Sequence, residues 1–286
     1  MEFLLSKWRS ESGETMSNIY NLRLVEIELF SYCNRKCDWC PNSYIDRQNN
    51  KKYIDVNVLC SLLQELKKNN FNGVISFSRY NEPFSVFSTL QQSCIIVKTF
   101  LPNVKLVSNT NGDYITEEVI KTMMIDELTI MDYDYKGRDY VLEKLRSWNL
   151  KCIQEYDHYF VATHGNKKIL YYYSWLEEAK ISDRGGNLKD WSLDKRKNPC
   201  YEPIFFIGVN YDGTVSPCCN VRNDCQNRNY ILGDLHEKSL GSMLKSEFYL
   251  DFVNAVTTGN FTEDMPCYYC NNNGGRYTRE NGGILY

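Results

Sequence analysis

The sequence has no apolar run long enough to cross a membrane: nothing in it approaches the roughly 18 residues a spanning helix needs. The amino-terminal Phe3-Leu4-Leu5 is too short for the core of a secretion signal. It also lacks a surplus of either charge. Lys and Arg number 33 against 36 Asp and Glu, a formal net charge of −3, so no nucleic acid and no membrane is expected as a partner, and a polyanionic substrate is disfavoured. Internal repeats and low-complexity segments are missing too. The expectation is a cytoplasmic chain of 286 residues that buries a normal core in a large and a smaller domain.

What the sequence does have is cysteine, twelve in all. Without a secretion signal, and with most of them clustered, they are expected to bind a metal or cluster rather than to pair as disulfides. The 22 tyrosines and the 14% aromatic content read as packing material.

Residues 1–20 are polar and irregular and read as an extension. From Leu22 to Phe30 the residues alternate with a strand period and run straight into the first cysteines. Asp55 then precedes the stripe Val56, Leu59, Leu62, Leu63 and Leu66, an amphipathic helix ending near Asn69. Short strands follow at 73–77, 104–107 and 128–131, separated by helices at 88–100 and 116–124 and followed by one at 139–148. This alternation predicts an α/β fold of βα units around a parallel sheet, closing to a full or partial barrel with its chemistry at the carboxyl ends of the strands. Asp194 to Pro199 reads as a linker, placing the large domain at 21–195 and the smaller one at 196–286.

The first cluster reads Cys33-Asn-Arg-Lys-Cys37-Asp-Trp-Cys40. Three thiols on one loop after a strand leave one iron of a [4Fe–4S] cubane open, because such a cluster takes four ligands. A zinc site would ask for a fourth nitrogen or sulfur donor, and none lies nearby. The CxxxCxxC spacing with the aromatic Trp39 resembles the signature loop of the radical S-adenosylmethionine (SAM) superfamily, whose fold is a partial (β/α)6 barrel. That resemblance implies that the open iron chelates the amino and carboxylate groups of SAM, that one electron cleaves SAM to a 5′-deoxyadenosyl radical, and that Trp39 lies near the adenine.

Two further segments resemble family motifs. Ser78-Arg79-Tyr80-Asn81-Glu82-Pro83 stands where the family carries Gly-Gly-Glu, which implies SAM ammonium binding at Tyr80, Asn81 and Glu82; Glu82 also reads as a loop carboxylate before a turn-setting proline. Ser108-Asn109-Thr110-Asn111-Gly112-Asp113 resembles the ribose- or carboxylate-binding segment, making Ser108, Asn109 and Asn111 candidates, although Asn-Gly is also an ordinary turn.

The later cysteines frame a hairpin signal at Asp212-Gly213. Their arrangement resembles the auxiliary-cluster domain called SPASM, or twitch in its one-cluster form, implying one auxiliary [4Fe–4S] cluster on Cys200, Cys218, Cys267 and Cys270. Zinc on the same four is the alternative. Cys219 and Cys225 are further candidates for that set, while Cys60, Cys94 and Cys152 read as small apolar packing residues.

Two substrate classes are open. One resemblance, to peptide-maturing radical SAM proteins that splice at tyrosine, implies a ribosomally made precursor peptide. The 32 residues before Cys33 are too few for a leader-binding domain, so a separate small leader-binding protein is expected with it. The other resemblance, carried by Cys33 to Ser43 and by Asp183-Arg184-Gly185-Gly186, is to the radical SAM dehydrogenase of aminocyclitol biosynthesis. It implies oxidation of a sugar-like alcohol, with Arg184 beside the substrate or as a structural loop arginine. Both need an external electron donor of flavodoxin or ferredoxin type. A plain iron–sulfur carrier or zinc scaffold accounts for the later cysteines alone.

Overall fold

Leu24–Ile27 (β1) is buried at every position, as befits a strand covered on both faces. A computed structural model describes residues 18–174, 183–188, 195–268 and 270; the proposed arm up to residue 17 and Asp194 lie outside them. From β1 the chain alternates as expected. Val56–Lys68 (α1), Val74–Ser76 (β2), Phe87–Phe100 (α2), Lys105–Thr110 (β3), Glu117–Thr122 (α3), Glu127–Met131 (β4) and Gly137–Ser147 (α4) follow in turn. The helix starts are specified locally, with Asp55 accepting from Asn57 N and Thr116 from Val119 N.

Beyond α4 the chain departs from the βα pattern. Lys151–Glu155 (β5), Tyr159–His164 (β6) and Lys167–Tyr172 (β7) form an antiparallel meander whose last strand joins β4 in parallel. The tyrosine-rich stretch hides its strand period because rings occupy both faces. Tyr159 stacks on Tyr156 at 5.1 Å and on Tyr172 at 4.6 Å, so much of the aromatic wealth is packing, as expected.

The expected hairpin is Phe206–Val209 (β8) and Thr214–Ser216 (β9), turned through Gly213 at φ +86, and Gly233–Asp234 (β10) adds to β9. The ten strands among the described residues make one sheet, in the order β10-β9-β8-β1-β2-β3-β4-β7-β6-β5. Because β8 pairs in parallel with β1, the sheet runs straight across the boundary expected at residue 196. Nor is the described part of the expected linker free. Arg196 is buried and donates to the carbonyls of Asn198, Pro199 and Cys270.

Charge ties these parts together. Just after β1, Glu28 (0% exposed) accepts from Arg47 at 2.8 Å, and Arg47 donates to Asp224 at 2.6 Å. Asp224 also takes Arg222, fully buried, at 2.8 Å. Arg222 donates onward to Asn42 Oδ1 and lies 3.9 Å above the ring of Tyr80. Tyr80 N donates to Glu28, and its hydroxyl to the carbonyl of Cys219. Two acids and two bases thus neutralise each other while linking the end of β1, the first cysteine loop, the loop after β2 and the segment 219–224. At the other end of this seam Arg79 lies flat across Gly208 of β8, where any Cβ would collide with its guanidinium.

Removing one member of a buried ion pair strands its partner's charge and costs about 3–5 kcal/mol. Asp224→Ala is therefore expected to lower the anaerobic thermal midpoint by about 5 °C or more, read by circular dichroism. An unchanged midpoint would remove the network from the account.

Candidate functional site

The loop that leaves β1 is shaped by its own backbone. Cys33 N donates to Arg47 O, Cys40 N to Cys37 O, and Cys40 precedes the short turn Pro41–Ser43. Its three thiols open onto a cavity of about 410 Å³ at the carboxyl ends of β1 to β4. Burial pushes the Cys33 thiol up to about 12, eased by a backbone bond at Arg35 and raised further by Glu82 and the two neighbouring cysteines. Burial and then Cys40 push Cys37 up to about 11. Such thiols do not ionise together unaided, and a cationic iron centre is the partner that makes thiolates of them.

Trp39, Tyr80, Asn81, Glu82, Asn109, Asn111 and Arg184 all line this cavity, although they come from four separate segments of the chain. Trp39 packs against Tyr133 at 5.6 Å, just after β4. Asn81 accepts from Arg79 N through Oδ1, while its Nδ2 is buried with no hydrogen-bond partner. An orphaned amide donor on the wall fits a ligand that brings an acceptor, such as the carboxylate or ribose oxygens of SAM. Glu82 is 2% exposed and accepts from Phe84 N, Thr110 Oγ1 and Asn111 N. Burial raises its pKa to about 7 even against those three donors.

Some expected roles shift in the structure. Ser108 is buried and does not line the cavity, because it sits one layer deeper in the strand; Thr110, nearer the carboxyl end, takes the place on the wall. The carboxamide of Asn111 is engaged in shaping its loop, donating to Asn34 and accepting from Asp113 N. Tyr80 is a strut toward the later cysteines as much as a cavity wall. Arg184 adopts φ +54 beside Asp183, whose carboxylate accepts from Gly185 N and Gly186 N. A non-glycine residue in that region is held there by its surroundings.

The rim of the cavity was hidden from sequence reasoning. Arg35 donates to Asp113 and Asp134, roping the loops after β1, β3 and β4 together around the cavity mouth. The position of Arg35 within CxxxC offered the only hint, and its partners lie 78 and 99 residues away.

The later cysteines sort themselves. Cys218 is raised by burial and then by Cys219, Cys267 and Cys270; Cys267 by burial and then by Cys200 and Cys270. Cys200, pushed up to about 11 by burial, is eased by the cation of Arg196. Cys200, Cys218, Cys267 and Cys270 therefore lie near one another, the set expected for an auxiliary cluster. Cys225 turns instead to Asp224 at 3.7 Å, and Cys219 lines the cavity. Among the described residues no three His, Cys, Asp or Glu side chains are grouped tightly enough to grip a single ion; a cubane, each of whose irons takes one thiolate, asks for wider spacing.

Comparison with known proteins agrees with this geometry. Residues 200–271 match the SPASM iron–sulfur cluster-binding domain. The S-adenosyl-L-methionine-dependent 2-deoxy-scyllo-inosamine dehydrogenase of Niallia circulans is 26% identical over 252 residues, covering 87% of this chain and 92% of that protein. Among solved structures, BtrN in complex with AdoMet and 2-DOIA superposes with a TM-score of 0.70 at 21% identity, covering 92% of this chain and 98% of its own. A histidine-tagged anSMEcpe with bound AdoMet gives 0.50 at 12% identity, covering 82% and 80%. With an open three-cysteine loop on the parallel centre of a mixed α/β sheet and a second cysteine group that matches a known cluster domain, the chain is a radical SAM enzyme with a SPASM-type iron–sulfur domain, and its cofactors are [4Fe–4S] clusters and SAM.

Proposed function

We propose that this enzyme oxidises a secondary alcohol of a small aminocyclitol or sugar-like substrate to a ketone. The observation that carries this reading is the position of Arg184. It lies in the segment 183–186 and lines the same cavity as Cys33, Cys37 and Cys40 on one side and Cys219 on the other. A guanidinium there is suited to hold hydroxyl oxygens in a fixed pose beside the reacting carbon. The likeness over 87% of the chain to a dehydrogenase of that substrate class supports the same reading.

Cys33, Cys37 and Cys40 would hold the [4Fe–4S] cluster, which would supply the one-electron reduction that splits SAM into methionine and a 5′-deoxyadenosyl radical. The chain's own residues orient and shield. Trp39 and Tyr133 would form an aromatic wall for adenine, and the free Nδ2 of Asn81 would donate to a SAM oxygen. Glu82, with Thr110 and Asn111, holds the loops after β2 and β3 at one spacing and would offer a carboxylate to the SAM ammonium. Arg35 with its two aspartates holds the loops after β1, β3 and β4 in place at the rim. The electron itself comes from an external carrier of flavodoxin or ferredoxin type.

A precursor peptide, delivered by a small leader-binding protein, is the competing substrate class from the sequence. It is separated by direct assay. Under anaerobic, reducing conditions with SAM, an aminocyclitol deuterated at its carbinol carbon should give ketone together with deuterated 5′-deoxyadenosine. Turnover of a peptide alone, dependent on a copurifying small protein, would overturn the dehydrogenase reading.

Replacing Cys33, Cys37 and Cys40 together with alanine should abolish 5′-deoxyadenosine release and leave about four irons per chain, one cluster's worth. Persistent release would contradict the assignment of the SAM site.

Glu82 gives a pH signature. Below about 7 it is increasingly protonated, and a neutral carboxyl attracts the SAM ammonium less. SAM affinity, measured by anaerobic equilibrium dialysis, should therefore rise from pH 6 to pH 8, and Glu82→Gln should flatten the curve. An equal slope in the variant would exclude Glu82 as its source.

A further inference from the structure

Cys219 is the later cysteine that faces the reaction cavity, and it is connected behind that wall. Its thiol points to Asn220 Oδ1 at 3.9 Å, and Asn220 Nδ2 donates to Cys270 Sγ at 3.4 Å. A carboxamide has one accepting end and one donating end. The first meets a thiol that keeps its hydrogen; the second meets a sulfur that accepts, as a metal-bound thiolate does. Asn220 cannot easily swing away. It is 5% exposed, its carbonyl takes amide donors from Asn187 at 3.0 Å and Asn227 at 2.7 Å, and it lies so near Gly185 that a Cβ added there would come within 3.3 Å of its own Cβ. Cys219 also follows Cys218 directly in the chain, so the cavity wall reaches the auxiliary group by a covalent route and by a hydrogen-bonded one.

We propose that Cys219 and Asn220 form the electron path from the reaction cavity to the auxiliary iron–sulfur site, and that Asn220 is a positioning residue that sets the potential of that site through Cys270. The source of the electron rests on the dehydrogenase reading. Transfer of a hydrogen atom from the carbinol C–H gives 5′-deoxyadenosine and a carbon-centred substrate radical. That radical becomes the ketone by losing its hydroxyl proton to water and one electron. The electron crosses at Cys219, is accepted at the oxidised auxiliary cluster, and leaves to the external carrier. A hydrogen bond donated to a ligand sulfur stabilises the more negative, reduced state and so raises the reduction potential.

The test uses the fully reconstituted chain with Asn220→Leu, which removes the donor, and Asn220→Asp, which replaces it with an acceptor. In an EPR-monitored redox titration without substrate, the midpoint of the auxiliary site should move down in the first and further down in the second. That of the Cys33, Cys37 and Cys40 site should stay in place. If either variant fails to hold its auxiliary iron, Asn220→Ser, short and neutral, replaces it with the same downward shift expected. Cys219→Ala should leave both midpoints unchanged. In a single turnover it should still release 5′-deoxyadenosine, with a loss of ketone yield and of auxiliary-site reduction. An unmoved auxiliary midpoint in the Asn220 variants, or ketone formed at the wild-type rate by Cys219→Ala, overturns the proposal. If the wild type forms no ketone at all, the dehydrogenase reading and the electron path fall together, while the titration still decides the role of Asn220.

Discussion

The structure depends on four charges, the buried Glu28, Arg47 and Arg222 and the partly exposed Asp224, that can be accommodated only together. Each would be costly alone in the low-dielectric interior. As a chain joined at 2.6–2.8 Å they cancel, and the geometry that cancels them also fixes the site. Glu28 follows the central strand directly, Arg47 closes the first cysteine loop, and Asp224 and Arg222 lie just beyond Cys218 and Cys219. Moving either cysteine group relative to the sheet would open an ion pair in the core. Asn42 and Tyr80 extend the same seam to the cavity wall, so the network works as the spacer between two sites of one reaction.

The cavity's chemistry follows from that rigidity. Thiols buried enough to be pushed well above their ordinary values are poor nucleophiles and inert as free groups, yet good ligands once iron supplies the positive charge. Glu82 is raised to about 7 by burial against three donors, which leaves a carboxylate responsive to an arriving cation. At the rim, Arg35 exchanges burial for two aspartates and ties three loops that share no sequence proximity. A reactive radical needs such a positioned site, because the protein contributes orientation while the cofactors carry the bond-breaking.

Much of this is legible in the chain itself. The four βα units, the hairpin at Asp212-Gly213 and the three-cysteine loop all express local periodicity or spacing, which a single sequence displays. The meander from Lys151 to Tyr172 was not legible, because tyrosines on both faces erase the alternation that marks a strand. The charge network was equally hidden, since Arg47 and Asp224 stand 177 residues apart and each alone reads as a solvated surface charge. Ser108 was misplaced for a simpler reason. It shares a strand face with Thr110, two residues on, and the pattern of the motif does not say how far down a strand the cavity floor lies. Cys219 and Cys218 raise a related difficulty, adjacent residues sent to opposite sides of one wall.

Whether one rigid seam holds a cluster site on the cavity and a second behind its wall is decided by counting metal. Iron and acid-labile sulfide should be measured on the anaerobically reconstituted wild-type chain that cleaves SAM. About eight irons and eight sulfides per chain are expected, two four-iron clusters. A fully active chain that holds only about four of each would contradict it.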